Sequence, residues 1–176
     1  ALLDYFEQLN RHTFVTIEYG IESANNDTLR RINRGHDFEC ARSIVEKTAE
    51  RGINVGGHVI LGLPGEDADE SLRQAPVISA LPLNMLKIHQ LQVIKDTRLA
   101  EIYQSEPFHL YTVNEYISLI TEYIQYLRKD LVLERFVSQS PKQLLIAPDW
   151  GLKNYEFTNL LNNHLKATGA YQGKKV

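Results

Sequence analysis

The stretch Ile17-Glu18-Tyr19-Gly20-Ile21-Glu22-Ser23 decides the fold of this chain. Val15, Ile17, Tyr19 and Ile21 fall on one face of an extended segment; Thr16, Glu18, Gly20 and Glu22 fall on the other. Alternation with a period of two predicts a β-strand with one apolar and one polar face. A second strand is expected over residues 54–61, with His58 and Ile60 on the polar side. A third is expected over residues 86–93, where Leu86 and Ile88 look one way and Lys87 and His89 the other. Helix-length segments separate the three. One follows Asp37, an N-cap candidate, carries Phe38, Ala41, Val45 and Thr48 as its stripe, and stops at Gly52. Another follows Asp67 or Asp69 and meets Pro76, which interrupts or kinks it. Strands joined by helices run parallel through right-handed crossovers, so the expected class is α/β.

Working outward, Leu2, Leu3, Phe6 and Leu9 predict an opening helix, broken at Asn10-Arg11-His12. After the third strand, Tyr116, Ile117, Ile120, Tyr123, Ile124 and Leu127 mark a long helix face, read as core. Residues 131–137 predict a fourth strand, residues 141–151 look irregular, and Phe157, Leu160, Leu161 and Leu165 carry a last helix. The tail 169–176 is expected to be loose.

At 176 residues the chain can bury one sizeable core. Its 43% hydrophobic and 23% charged residues are those of a soluble globular protein. A net charge of -3 excludes a strong polyanion-binding field, and no apolar run approaches the roughly 20 residues that span a bilayer. The single cysteine, Cys40, excludes an intrachain disulfide and is consistent with a reducing, cytoplasmic compartment. Cys40 is read as a plain structural or surface thiol. No signal-like segment follows Ala1, and the missing initiator Met points to processing or a cut chain.

In parallel α/β folds function collects at the C-terminal ends of strands. Here that end holds Glu22, with Glu18, His58, Lys87 and His89 on the same inner face. Two carboxylates, two imidazoles and an ammonium must be paired, hydrated or bound to a ligand if they are enclosed. A satisfied polar interior is one reading; convergence of so many polar groups favours a ligand site.

The ordered set Gly20-Ile21-Glu22-Ser23, Arg34-Gly35-His36 and Gly62-Leu63-Pro64-Gly65-Glu66 resembles the radical S-adenosylmethionine superfamily. It is most similar to the YhcC-like subfamily, relatives of the oxygen-independent coproporphyrinogen oxidases. Lys87-Ile88-His89-Gln90-Leu91, Asp96-Thr97 and Ala147-Pro148-Asp149-Trp150 look like the same subfamily. The resemblance covers essentially the whole chain. It implies a partial, TIM-like (β/α)6 barrel of parallel strands. Residues 1–110 would be its C-terminal half, strands four to six, and residues 111–176 a C-terminal α/β extension packed on it. It further implies S-adenosylmethionine and a [4Fe–4S] cluster held by Cys-x3-Cys-x2-Cys. That triad is not in this chain, so the cluster ligands are expected in the N-terminal half of the same protein and the chain alone is expected to be inactive.

By the same resemblance, Glu22 lines the S-adenosylmethionine site and accepts from the ammonium group, with Ser23 beside it. Arg34 pairs with the cofactor's carboxylate, a role suited to guanidinium; without the resemblance it reads equally as a solvated charge. His58 stands where some relatives place a ribose-binding Asp. Gly62 belongs to the cofactor-side turn, although the main reading of Gly62 and Gly65, even within the family, is a tight strand-to-helix turn. Backbone near Leu91 would receive the adenine. Glu18, Lys87 and His89 are substrate-side or structural, and Glu18 can pair with Lys87. Glu66 is read as a carboxylate at a helix start, favoured by the dipole. Trp150 packs or leans on the substrate.

The leading expectation is therefore a fragment of a radical S-adenosylmethionine enzyme, acting on an unknown substrate through a 5′-deoxyadenosyl radical. A second is redox-independent acid–base chemistry by Glu18, Glu22 and His58. An RNA-binding module ranks last, because Arg30, Arg31, Arg34 and Lys174-Lys175 are its only basic features. The first strand would present an open edge, so self-association along it is expected.

Overall fold

Alternation along β1 (Thr16–Glu22) sends Tyr19 and Ile21 to one side and Glu18 and Gly20 to the other. The same period runs through β2 (Asn54–Leu61) and β3 (Met85–Gln90). In this computed structural model, which describes residues 1–176, these strands and β5 (Val132–Arg135) form one parallel sheet in the order β1-β2-β3-β5. Its apolar side chains, Ile21, Val55, Val59, Leu61, Leu86 and Ile88, are each at most 4% exposed. They pack beneath α3 (Phe38–Ala49), α4 (Ala68–Ser79), α6 (Val113–Tyr123) and α7 (Asn154–Thr168), which contribute Val45, Ile78, Ile120 and Phe157 to the same core. Burying each such side chain is worth about 1.5–3 kcal/mol, so this face holds the fold. The other face is polar and carries no helix of the core.

Local chemistry sets the helix starts. Asp37 accepts from the Cys40 N–H, and Asp67, not Asp69, accepts from the Glu70 N–H. Helix α4 continues three residues beyond Pro76 to Ser79, so the proline neither ends it nor starts a new element. Two short helices escape a periodicity reading: α2 (Asn26–Arg31), capped by Asn25, and α5 (Arg98–Ser105), capped by Thr97. The opening helix α1 (Leu2–Asn10) buries none of its residues.

Three expectations are corrected. The third strand ends at Gln90 rather than at residue 93. The Gln90 amide spans to Ser138, donating to its carbonyl at 3.1 Å and accepting from its N–H at 2.9 Å. The chain then turns away into β4 (Val93–Ile94), which pairs antiparallel with β6 (Leu145–Ala147), so part of the stretch expected to be irregular is a strand. The tail is docked, not loose. Gly173 and Lys175 donate their N–H groups to Ile124 and Gln125 carbonyls, and the Gln172 amide donates to the carbonyls of Arg128 and Leu131 at 2.7 Å each. The 3-10 turn Ile124–Tyr126 ends α6 and leaves carbonyls without intrahelical partners; the tail supplies them.

Removing the Gln172 amide should therefore strand two acceptors. Gln172→Ala is expected to lower stability by about 1–2 kcal/mol, whereas Lys174→Ala, on the exposed side of the tail, should change it by less than about 0.5 kcal/mol. Urea unfolding of both variants measures the difference; equal effects would return the tail to a loose appendage.

Candidate functional site

The C-terminal end of β1 is built on a reversal of the backbone. Glu22 has φ 63°, a left-handed value that is uncommon for a residue with a side chain. The Ser23 N–H donates to the Ile21 carbonyl at 2.8 Å, closing a three-residue turn centred on Glu22. Register with β2 slips at this point, from Gly20 opposite His58 to Glu22 opposite Val59. The carboxylate consequently folds back over Gly20, in space that a Cβ there would occupy. Arg34 arrives from the loop after α2 and caps the same spot, donating from Nη2 to the Gly20 carbonyl at 2.6 Å. Its Nη1 lies 3.7 Å from Glu22 Oε1. Glu22 is only 12% exposed, and two buried atoms here lack an aligned hydrogen bond: Glu22 Oε2 and Arg34 Nε.

His58 stands beside this pair on β2, its Nδ1 3.1 Å from Glu22 Oε2. Its Nε2 faces His89 Nδ1 on β3 at 2.8 Å, with the rings edge to face at 4.2 Å between centroids. Burial first, then the charges of His58, Arg135 and Lys87, push His89 down to about 3, so it is a neutral imidazole at physiological pH. Its Nε2 is buried and has no partner. Lys87 contacts Glu18, as the alternation suggested, and also lies 3.5 Å from Glu134 on β5. The Glu18 contact is the first cause that raises the ammonium's pKa. Glu22, Arg34, His58 and His89 thus form one cluster, while Glu18 and Lys87 form an ion pair that keeps Glu18 out of any acid–base trio with Glu22 and His58.

Other sequence-derived candidates take positioning roles. Ser23 is 1% exposed and its hydroxyl donates to Glu66 Oε1 at 2.5 Å, near Gln74 Oε1 at 3.0 Å. Gln74 also accepts from the Ala24 N–H at 2.7 Å and donates to Glu66 at 2.9 Å. Glu66 is therefore a tie between the loops after β1 and β2, and not the carboxylate that starts α4, a role Asp67 holds. Gly62 and Gly65 have φ 84° and 88°; the Tyr111 ring lies against Gly62, and Arg31 reaches over Gly65 to the Pro64 carbonyl at 2.9 Å. Arg30 pairs with Asp27, so the basic residues of this segment point to different partners instead of forming one patch. The Leu91 N–H is donated to the Leu61 carbonyl at 3.0 Å, which leaves only its carbonyl for a ligand. Trp150 stacks on Phe157 at 5.8 Å and donates to the Tyr111 carbonyl, a packing role. Cys40 is exposed on α3. No group of three or more His, Cys, Asp or Glu side chains is arranged to hold a metal ion, and no helix is long and apolar enough to cross a membrane.

Sequence reasoning missed Arg135. Strict alternation places it with Leu133, toward the helices. A register slip in β5 pairs Leu133 with Leu86 but Arg135 with Lys87, so Arg135 shares the polar face. Only the Lys-Ile-His pattern of β3 hinted that this face extends further.

The comparisons agree with this geometry. Residues 1–73 match the family model of the Radical SAM superfamily, and residues 83–167 match that of the Radical SAM C-terminal domain. The chain is 31% identical over 173 residues to YtqA of Bacillus subtilis, across 98% of this chain and 54% of that protein. It is 29% identical over 154 residues to YhcC of Escherichia coli, across 85% of this chain and 50% of that protein. The chain thus spans about half the length of the curated relatives it matches. An archaeal Elp3 structure, from Methanocaldococcus infernus with residues 1–46 deleted, superposes with a TM-score of 0.83 at 22% identity. It covers 96% of this chain and 40% of that one, and it supports an α/β fold consistent with a partial TIM-like barrel. The parallel sheet, the polar face and the two family matches lead to one conclusion: this chain belongs to the radical S-adenosylmethionine superfamily.

Proposed function

We propose that this chain is the part of a radical S-adenosylmethionine enzyme that grips the cofactor's amino-acid end and presents the polar face to the substrate. The observation that carries this is the Glu22–Arg34 pair folded over Gly20 at the end of β1. A carboxylate and a guanidinium at this separation complement an ammonium and a carboxylate on one ligand carbon. Inserting that zwitterion replaces one ion pair by two, so the buried charges stay compensated. The buried, unbonded Glu22 Oε2 and Arg34 Nε fit the same group. His58 would offer Nδ1 to a ribose hydroxyl by giving up its contact with Glu22 Oε2, and the Leu91 carbonyl a single acceptor to the adenine amine.

The cofactor and its [4Fe–4S] cluster would together supply a 5′-deoxyadenosyl radical that takes hydrogen from the substrate. One exposed cysteine cannot hold such a cluster, so no cluster contact is assigned to these residues. The preceding part of the protein would supply it, pairing along the free edge of β1. The chain's own share is to bind, orient and keep water from the reacting atoms.

Two outcomes test the reading, and a third tests the electrostatics of the same face. In the full-length protein, reconstituted with iron and sulfide and reduced without oxygen, release of 5′-deoxyadenosine from S-adenosylmethionine should fall at least tenfold in Arg34→Ala. No release from protein with a verified reducible cluster would overturn it.

Glu22→Gly separates fold from function. Relief of the left-handed backbone, worth about 1 kcal/mol, should be offset by loss of the carboxylate that neutralises Arg34, so stability should change by less than about 1 kcal/mol, while calorimetric affinity for S-adenosylmethionine should drop at least tenfold. Lower stability with unchanged affinity would make Glu22 structural.

His89 gives a pH signature. Its folded pKa of about 3 lies below the unfolded value near 6.5, so the unfolded state takes up the proton first. Stability from this residue should be complete above pH 6.5 and should fall by about 1.4 kcal/mol per unit toward pH 3. His89→Asn should flatten that slope in urea midpoints measured across the range.

A further inference from the structure

We infer that His89 and Arg135 form an oxyanion subsite on the polar face, taking a carboxylate or phosphate group of the substrate. The inference rests on the reading above that this face receives substrate. Arg135 is alone among the arginines in having neither a hydrogen bond nor an ion-pair partner; every other guanidinium reaches a carboxylate or a carbonyl. It is half-buried, and its Nε is buried without a partner. His89, 8% exposed, leaves Nε2 in the same condition. The two are diagonal neighbours on adjacent strands, since Arg135 pairs with Lys87, two residues before His89. Arg135 is close enough for its charge to be one cause of the low His89 pKa.

The nearby carboxylates are committed elsewhere. Glu134 and Glu18 both lie against Lys87, and each is nearly half exposed to water. Glu22 is on the far side of His58. A guanidinium offers a planar fork of donors and no acceptor, which matches the two oxygens of a carboxylate or phosphate. His89, neutral, carries one N–H. With His58 Nε2–H donating to His89 Nδ1, that proton sits on His89 Nε2 and adds a third donor. His58 Nδ1 then carries no hydrogen and faces Glu22 Oε2 at 3.1 Å. The subsite is two (His89) to three (Arg135) strand spacings, roughly 10–14 Å, from the Glu22–Arg34 pair, so the two arginines serve different groups.

The test uses the full-length protein with 15N-labelled histidine at pH 7, titrated separately with inorganic phosphate and with acetate. The His89 signals, assigned by their loss in His89→Asn, should shift saturably toward the Nε2–H tautomer with at least one of the two. Which anion acts distinguishes a phosphate from a carboxylate group. Arg135→Gln should weaken that response at least tenfold, and Arg135→Lys, which keeps the charge without the fork, should restore part of it. S-adenosylmethionine affinity should be unchanged in both variants. A response that is absent with both anions, that does not saturate, or that survives Arg135→Gln overturns the subsite. A saturable, Arg135-dependent response in protein that does not bind S-adenosylmethionine supports the subsite while overturning the cofactor reading.

Discussion

Everything in this structure depends on a parallel sheet covered by helices on only one side. Period-two alternation sends half of each strand's side chains to the core, where Ile21, Val55, Val59, Leu86 and Ile88 are shut away from water. The other half has no helix to pack against. Most of its residues are accordingly polar or small, Glu18, Gly20, Gly56, His58, Lys87 and His89, with Ile60 and Met85 as apolar exceptions. Two of the cations there are neutralised locally, Lys87 by Glu18 and Glu134 and Arg34 by Glu22; Arg135 is not. Stability and chemistry are thus divided between the two faces of the same strands, and neighbouring residues can serve opposite ends.

The strand ends need a second device. At Glu22 the backbone enters a left-handed turn that costs about 1–3 kcal/mol for a residue with a Cβ. Such a conformation persists only where its surroundings hold it. Here the next residue, Ser23, is fastened to Glu66 and Gln74, and Gln74 also holds the Ala24 N–H. The network ties the loop after β1 to the loop after β2 and to α4, which is itself seated in the core through Ala75 and Ile78. Ser23 and Glu66 therefore belong to the site without facing it. They keep the Glu22 carboxylate in place over Gly20.

The sequence was most readable where one rule acted alone. Alternation sorted the side chains of β1, β2 and β3 between the two faces, and it put Glu18 within reach of Lys87. It failed where a second rule intervened. The register slip in β5 turned Arg135 from the helix side to the polar side. The Gln90–Ser138 bridge ended β3 early and released the chain into β4. Glu66 looked like a carboxylate at a helix start because Asp67 and Glu66 are equally acidic in sequence; only the fold shows which one faces the Glu70 N–H. The tail carried no apolar pattern at all, since what holds it is backbone and amide hydrogen bonding to carbonyls of the turn after α6 and the loop beyond it. Short-range hydrophobic periodicity contains no record of such long-range polar contacts.

The polar face is not uniform, and its asymmetry bears on mechanism. At the β1 end, acid and base are matched in one pair. At the β5 end, a guanidinium stands without a contacting partner beside a buried imidazole. Between them, His58 and His89 form a continuous line from Glu22 Oε2 to the unpartnered His89 Nε2. Burial keeps His89 neutral, so this line conveys no net charge to that end; it conveys the position of a proton. A proton on His58 Nδ1 with a bare Nε2 makes His89 donate from Nδ1 and leaves His89 Nε2 an acceptor. A proton on His58 Nε2 reverses both. A ligand that took the Glu22 carboxylate, as proposed above, would thereby select whether the distant nitrogen offers or receives a hydrogen bond. The two ends of the face would then be joined by tautomer, across strands whose backbone has no need to move.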